Sequence, residues 1–297
     1  MYESPQGRTD NIVDAAQEKL EYILSYCSSN SLPLVTAADV FDKPRGWRVL
    51  TWVSDLLRKW GNVPIYAVRG QHDMYMRSES TEGTCLGLLV KWDRIKLLDD
   101  HPTYVVPSVP FYGCSYGDEV PVPWDTKVRN VLVVHMPISD APLWPGQEYT
   151  NAAWFLGEYR YYTGVLCGDI HKKFIFKNEA SKRWIANTGP LLRKEASVEM
   201  FEHHPCFFIY DVTKGSITEH EIPHRPAAEV LSREHLERKT KDTQMLDEFV
   251  AAVQHLSDEQ PDKRLTFSDN LTAVIKANRI PKRIVAILDE VMEETDQ

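Results

Sequence analysis

The chain has 297 residues, 43% hydrophobic and 26% charged, which allows one sizeable core plus a smaller appendage. A net charge of −9 excludes a global basic field of the kind that draws proteins onto nucleic acid unaided. Five scattered cysteines (Cys27, Cys85, Cys114, Cys167, Cys206) without CxxC spacing argue against disulfides and zinc ribbons, and no apolar run reaches membrane-spanning length. The expectation is a cytoplasmic protein with no membrane partner.

Ile12, Val13, Ala16, Leu20, Ile23, Leu24 and Cys27 recur at helical spacing and predict a first helix, capped by Thr9 or Asp10. The short apolar run Leu34-Val35-Thr36 predicts a buried strand. Leu50, Val53, Leu56 and Leu57 place a second helix over about 47–60, and 63–68 reads as the next strand. This alternation predicts an α/β core with strands near parallel. Further strands are predicted at 95–98, 104–106, 109–112, 131–134 and 165–167. Short strands at 174–176, 184–186, 207–211 and 217–222 then fit the second sheet of a two-sheet, helix-flanked sandwich. From about Arg225 the composition becomes charged and helix-favouring, so 1–224 reads as the main domain and 225–297 as a helical appendage.

Four clusters of ligand-type residues each follow a predicted strand, where loops converge in α/β sheets. They are Ala38-Asp39-Val40-Phe41-Asp42, Gly70-Gln71-His72-Asp73, His135 at the end of 131–134, and Gly168-Asp169-Ile170-His171. A strand-end carboxylate can bridge two cations through its two oxygens. Taken singly, an Asp in such a turn is more often a cap, and a lone His more often a hydrogen-bonded rim residue. In extended geometry Asp169 and His171, at i and i+2, point to the same side and could reach one metal cluster. Order and placement together favour a metal centre.

These segments resemble the ordered motifs GDxxD, GNHD, strand-end His and GHxH of the calcineurin-like metallophosphoesterase superfamily, standing here as ADVFD, GQHD, VVH and GDIH. Ala38 replaces Gly, Gln71 replaces Asn, and Asp169 replaces the first His of the last motif. Gln71 keeps an amide oxygen, and Asp169 exchanges a nitrogen ligand for an anionic oxygen, which favours manganese or magnesium. Phe41-Asp42-Lys43-Pro44, the 187–193 segment and the Lys172 that follows GDIH resemble the SbcD-like DNA repair nucleases within that superfamily. The likeness spans about residues 2–222.

The resemblance implies a four-layer α-β-β-α sandwich and two divalent metal ions, Mn²⁺ first and Mg²⁺ second. It implies hydrolysis of DNA phosphodiesters, as 3′-to-5′ exonuclease and endonuclease, at DNA ends. One ion would be held by Asp39, Gln71, His135 and Asp169, and the other by Asp39 and His171. His72, oriented by Asp73, would stabilise the transition state or protonate the leaving group, with Asp42 steering a ligand from behind. The implied partners are an SbcC-like ABC-type ATPase bound to the helical tail and, by analogy, a second copy of the chain. Ile284, Ile287, Leu288 and Val291 would form one apolar face of that tail. The family's first motif, Asp-x-His, has no counterpart near the N-terminus, and the expectation is a chain that begins one strand late. Two rival readings are a phosphatase of the same superfamily, which suits the net acidity, and a catalytically inactive scaffolding homologue.

Overall fold

The computed structural model describes residues 5, 7–76, 78–144 and 146–234. The chain divides into compact units 1–231 and 232–297, and the first is described below. The predicted tail face at Ile284 to Val291 lies outside the described residues.

Helix α1 (Ile12–Ser29) starts on Asn11, whose side-chain oxygen accepts from the Val13 amide at 2.9 Å. Thr9 and Asp10, the expected caps, are engaged elsewhere. The Thr9 hydroxyl donates to Glu229 O, and Asp10 pairs with Arg8 and Arg225. After α1 come β1 (Leu34–Thr36), α2 (Trp47–Lys59), β2 (Ile65–Ala67), α3 (Cys85–Lys91) and β3 (Lys96–Leu97). The three strands form a parallel sheet in the order β1-β2-β3. Helix residues Leu24, Leu50, Leu57, Leu86 and Leu89 bury one core against it with Ala67. Among the described residues β1 is hydrogen-bonded on one side only, and its residues are half-buried rather than buried as expected.

The second sheet opens with β4 (Thr103–Val106), β5 (Val109–Cys114) and β6 (Asn130–His135). A short pair, β7 (Ile138–Ser139) and β8 (Thr150–Asn151), leads into α4 (Ala152–Glu158). Then come β9 (Tyr162–Gly168), β10 (Phe174–Asn178) and β11 (Arg183–Asn187), giving the order β10-β11-β9-β6-β5-β4. The inner strands β5, β6, β9 and β11 are parallel, and β6 is buried along its whole length, as its unbroken apolar run requires. One face of this sheet takes Phe155 and Leu156 of α4. The other meets the three-stranded sheet through Val68, Leu98, Phe111, Val131 and Val133. The result is the expected α/β layering of helices, sheet, sheet and helix.

Two features differ from expectation. Helices α3 and α4 were not anticipated, because runs of seven residues such as Cys85–Lys91 are too short to show a helical period. After α5 (Val198–Glu202), strands β12 (Cys206–Asp211) and β13 (Ser216–Glu221), among the described residues, pair only with each other and do not extend the second sheet. Phe208 and Tyr210 of this hairpin pack against Trp184, while Phe207 and Ile222 join the helix-side core. The short α6 (Ala227–Val230) buries Val230 and Leu231 with Met200. Among the described residues no helix is long and apolar enough to cross a membrane.

Candidate metal centre

The four clusters follow the carboxyl ends of β1, β2, β6 and β9, two strands from each sheet. Because the sheets pack face to face, these ends open onto one spot.

After β1 the backbone turns through left-handed values at Ala38 (φ 80°) and Asp39 (φ 48°). The first is a conformation that glycine adopts freely and alanine only under strain. After β2 the chain enters a 3-10 turn, Gln71–Asp73, that lies tightly against this loop. A Cβ on Gly70 would sit 2.1 Å from Asp39 Oδ1 and 2.8 Å from its amide, so only glycine fits. Gly168 is constrained in the same way, since a Cβ there would sit 2.2 Å from Ala37 O.

Asp73 is fully buried and fastens the two loops together. Its carboxylate accepts from the Gly70 amide at 3.1 Å, the Phe41 amide at 3.1 Å and the Val40 amide at 3.4 Å. Burial pushes its carboxyl up to about 6, against the pull of those amides. The carboxylate faces the backbone rather than the His72 ring, so the expected Asp73–His72 pairing is corrected: Asp73 positions both loops. His72 is exposed, and its backbone N–H donates to Asp39 Oδ1 at 3.1 Å.

His135, 3% exposed, faces the centre of the cluster. Its Nδ1 lies 2.8 Å from Ala37 O, a carbonyl that can only accept, so Nδ1 carries a proton. In the neutral ring Nε2 then carries a lone pair, and it lies 2.5 Å from Gln71 Oε1, also an acceptor. Around the same nitrogen are Asp39 Oδ2 at 3.5 Å and Asp169 Oδ1 at 3.8 Å. Gln71 Nε2 donates to Asp169 Oδ1 at 2.8 Å, which turns Oε1 toward His135. Asp39, Gln71, His135 and Asp169 thus bring three oxygens and one nitrogen together with a shortage of protons, a donor set that fits a divalent cation.

The remaining predicted residues lie around this set. Strand β9 stops at Gly168, and Asp169 takes φ 90°, so the extended i, i+2 geometry expected for Asp169 and His171 does not hold. His171 has no hydrogen bond or ion pair with the four among the described residues, although its ring feels the charges of Asp39 and Asp169. Desolvation first, then the Lys194 ammonium, hold its imidazole below the ordinary value. Asp42 forms a 2.6 Å ion pair with Lys194. Burial raises its carboxyl, but the Lys194 bond and charge outweigh that and leave it below the ordinary carboxylate value. Asn187 ties this region together, donating to Ile170 O at 2.7 Å and accepting from the Gly189 amide at 2.8 Å.

Two residues near the centre carried no sequence signal as site residues. Lys194 lies one position beyond the 187–193 segment and brings the ammonium beside Asp42 and His171. Tyr116, 43% exposed, follows the end of β5 with its ring 6.4 Å from that of His135. Its amide donates to Arg69 O at 2.8 Å, and Ser115 Oγ accepts from the Arg69 amide at 3.1 Å. This fastens the Tyr116 loop to the end of β2. A position directly after a buried parallel strand is the one pattern that could have marked it.

No family model matches the chain, and no curated protein matches it. Among solved structures it is similar to TT1561 of Thermus thermophilus, with 12% identity and a TM-score of 0.42, over 70% of this chain and 95% of that one. A second solved structure is similar at 11% identity and a TM-score of 0.38, over 72% of this chain and 86% of the other.

Proposed function

We propose that the chain is a divalent-metal-dependent phosphoesterase whose substrate is the phosphodiester backbone at DNA ends. The observation that carries the phosphoesterase reading is the gathering of His135 Nε2 and Gln71 Oε1, 2.5 Å apart, with two carboxylates beside them. Such a group is stable around a cation and costly without one. The mix of two carboxylates, an amide oxygen and one imidazole suits Mn²⁺ or Mg²⁺. Asp39, Gln71, His135 and Asp169 would hold one ion, while Asp39 and His171 offer two donors toward a second.

A bound divalent ion would polarise a phosphoryl oxygen and offset the charge that builds up during displacement. His72, whose backbone N–H donates to Asp39, would protonate the leaving oxygen as water's oxygen bonds to phosphorus and water's own proton departs to solvent. Tyr116 offers an exposed ring on which a base could stack beside the reacting phosphate. The nuclease reading rests on the resemblance of Phe41-Asp42-Lys43-Pro44 and residues 187–193 to SbcD-like nucleases. An SbcC-like ATPase partner would supply the DNA affinity that a chain of net charge −9 lacks.

The test is Mn²⁺ titration by calorimetry on the full chain, followed by incubation with end-labelled duplex DNA and, in parallel, bis-p-nitrophenyl phosphate. Mn²⁺ binding with loss of label supports the proposal. Hydrolysis of the small ester alone removes the DNA assignment and leaves a phosphatase. Absence of Mn²⁺ binding overturns the enzyme reading.

A further inference from the structure

A second concentration of buried charge lies apart from the strand ends, where α1, the exit of β13 and α6 meet. The side chain of Arg8 is 3% exposed, and Lys19 and Arg193 are 9% and 4% exposed. The carboxylate buried with them is that of Asp10, at 8% exposure, and it is shared between Arg8 and the exposed Arg225. Arg193 spends its donors on main-chain carbonyls, Nε to His203 O and Nη1 to Arg225 O, both at 2.9 Å. Arg8 also donates to Arg193 O at 2.8 Å. The Lys19 ammonium has no hydrogen bond or ion pair among the described residues. Among the described residues, three buried cations therefore face one buried carboxylate, and Glu18 at the rim is not buried.

These side chains surround a cavity of about 30 Å³ lined by Arg8, Asp10, Lys19, Arg193, His224 and Arg225, among others. A water needs roughly 10–15 Å³ on this measure, so there is room for about two to three, close to the bulk of one tetrahedral oxyanion. A buried charge without a partner is costly, and guanidinium groups cannot escape by losing a proton. Lysine can, and burial together with the charges of Arg8 and Arg193 does lower the Lys19 value. That relief leaves Arg193 with main-chain carbonyls and the charge of the exposed Glu221 as its counterparts, whereas one bound anion would answer both buried cations.

We propose that this cavity is an oxyanion site, built for phosphate and held by Lys19, Arg193 and Arg8. It is independent of the metal centre. The phosphate could be the free ion or the terminal phosphate of a nucleotide chain, since both present the same group.

The experiment is thermal unfolding of the full chain in EDTA, with sodium phosphate compared against sodium chloride at equal ionic strength. Phosphate is expected to raise Tm by about 3 °C at saturation, and chloride is not. Lys19→Met should lose that shift, while its Tm in phosphate-free buffer equals or exceeds that of the unaltered chain because a lone buried charge is gone. His135→Ala should keep the shift, which places the response outside the metal centre. Calorimetry with inorganic phosphate, 5′-phosphorylated trinucleotide and its unphosphorylated counterpart separates the two sources. Binding of phosphate alone assigns the free ion, and binding of the phosphorylated trinucleotide assigns the chain terminus. The proposal is overturned by equal shifts in phosphate and chloride, by an undiminished shift in Lys19→Met, or by loss of the shift in His135→Ala. Should Lys19→Met fail to fold, the shift in the unaltered chain and in His135→Ala decides the matter.

Discussion

The two places where this protein buries charge are opposites. At the strand ends, Asp39, Gln71, His135 and Asp169 collect acceptors that lack protons. Beside α1, Arg8, Lys19 and Arg193 collect three buried positive charges beside the single buried carboxylate of Asp10 among the described residues. Both are expensive inside a protein, and each points to a ligand of the other sign. They are also built differently. The acceptor site stands on loops that need left-handed residues and two glycines with no room for a Cβ. The cationic site hangs on the regular helix α1 and on guanidinium bonds to main-chain carbonyls. Removing the buried carboxylate that fastens the loops of the first should therefore damage the fold, while removing a cation at the second should not.

The largest expected effect is that of Asp73→Ala. Three amides from two loops would lose their buried acceptor, and urea unfolding should show a loss of about 3–5 kcal/mol. A loss below about 1 kcal/mol would mean that the strand-end loops do not depend on this carboxylate, and the contrast with the cationic cavity would collapse.

Next comes the ligand itself. Mn²⁺ at about 100 times its Kd should stabilise the chain by roughly 2.7 kcal/mol. His135→Ala should abolish most of that gain in a thermal scan. If the variant responds to Mn²⁺ like the unaltered chain, the ion binds elsewhere.

A smaller gain is expected from Ala38→Gly. At φ 80° alanine carries strain that glycine does not, partly offset by glycine's freedom in the unfolded chain. The net should be a stabilisation of about 0.5–1 kcal/mol by chemical denaturation. A loss of stability would show that the loop tolerates alanine without strain.

The smallest effect belongs to Asp42. It is held below the ordinary carboxylate value by Lys194, so its contribution is present above the unfolded Asp value and fades as pH falls through the lower folded value. For a half-exposed pair the amount is about 0.5 kcal/mol. Asp42→Asn should remove that acid-side slope from stability measured between neutral and acid pH. An unchanged slope would break the link between Lys194 and this edge of the centre.

Several of these features were legible beforehand. The unbroken apolar run Val131-Leu132-Val133-Val134 could only be a central strand, and it delivers His135 to its end. The α1 period showed which side of that helix is buried, and Lys19 stands among its buried residues without any sequence cue that its charge goes in too. Asn11 as the cap was missed because Thr9, Asp10 and Asn11 are all good cap residues in a row. The partners of Asp73 and the backbone geometry between Asp169 and His171 were not legible for a related reason. Spacing reports neighbours along the chain, whereas Asp73 finds its partners at Val40 and Phe41, and a left-handed turn at Asp169 breaks the alternation that spacing assumes.

By itself the sequence determined which segments could be strands, which could be helices, and that ligand-type residues recur just after four of the strands. Those are local properties, set by side-chain period and backbone preference. Only the tertiary structure decided that Asp39, Gln71, His135 and Asp169 share one point, that Asp73 serves the backbone, and that Lys19 and Arg193 enclose a cavity with Arg8. Each of those outcomes depends on the distance between residues far apart in the chain, and that distance is set by how sheets and helices pack.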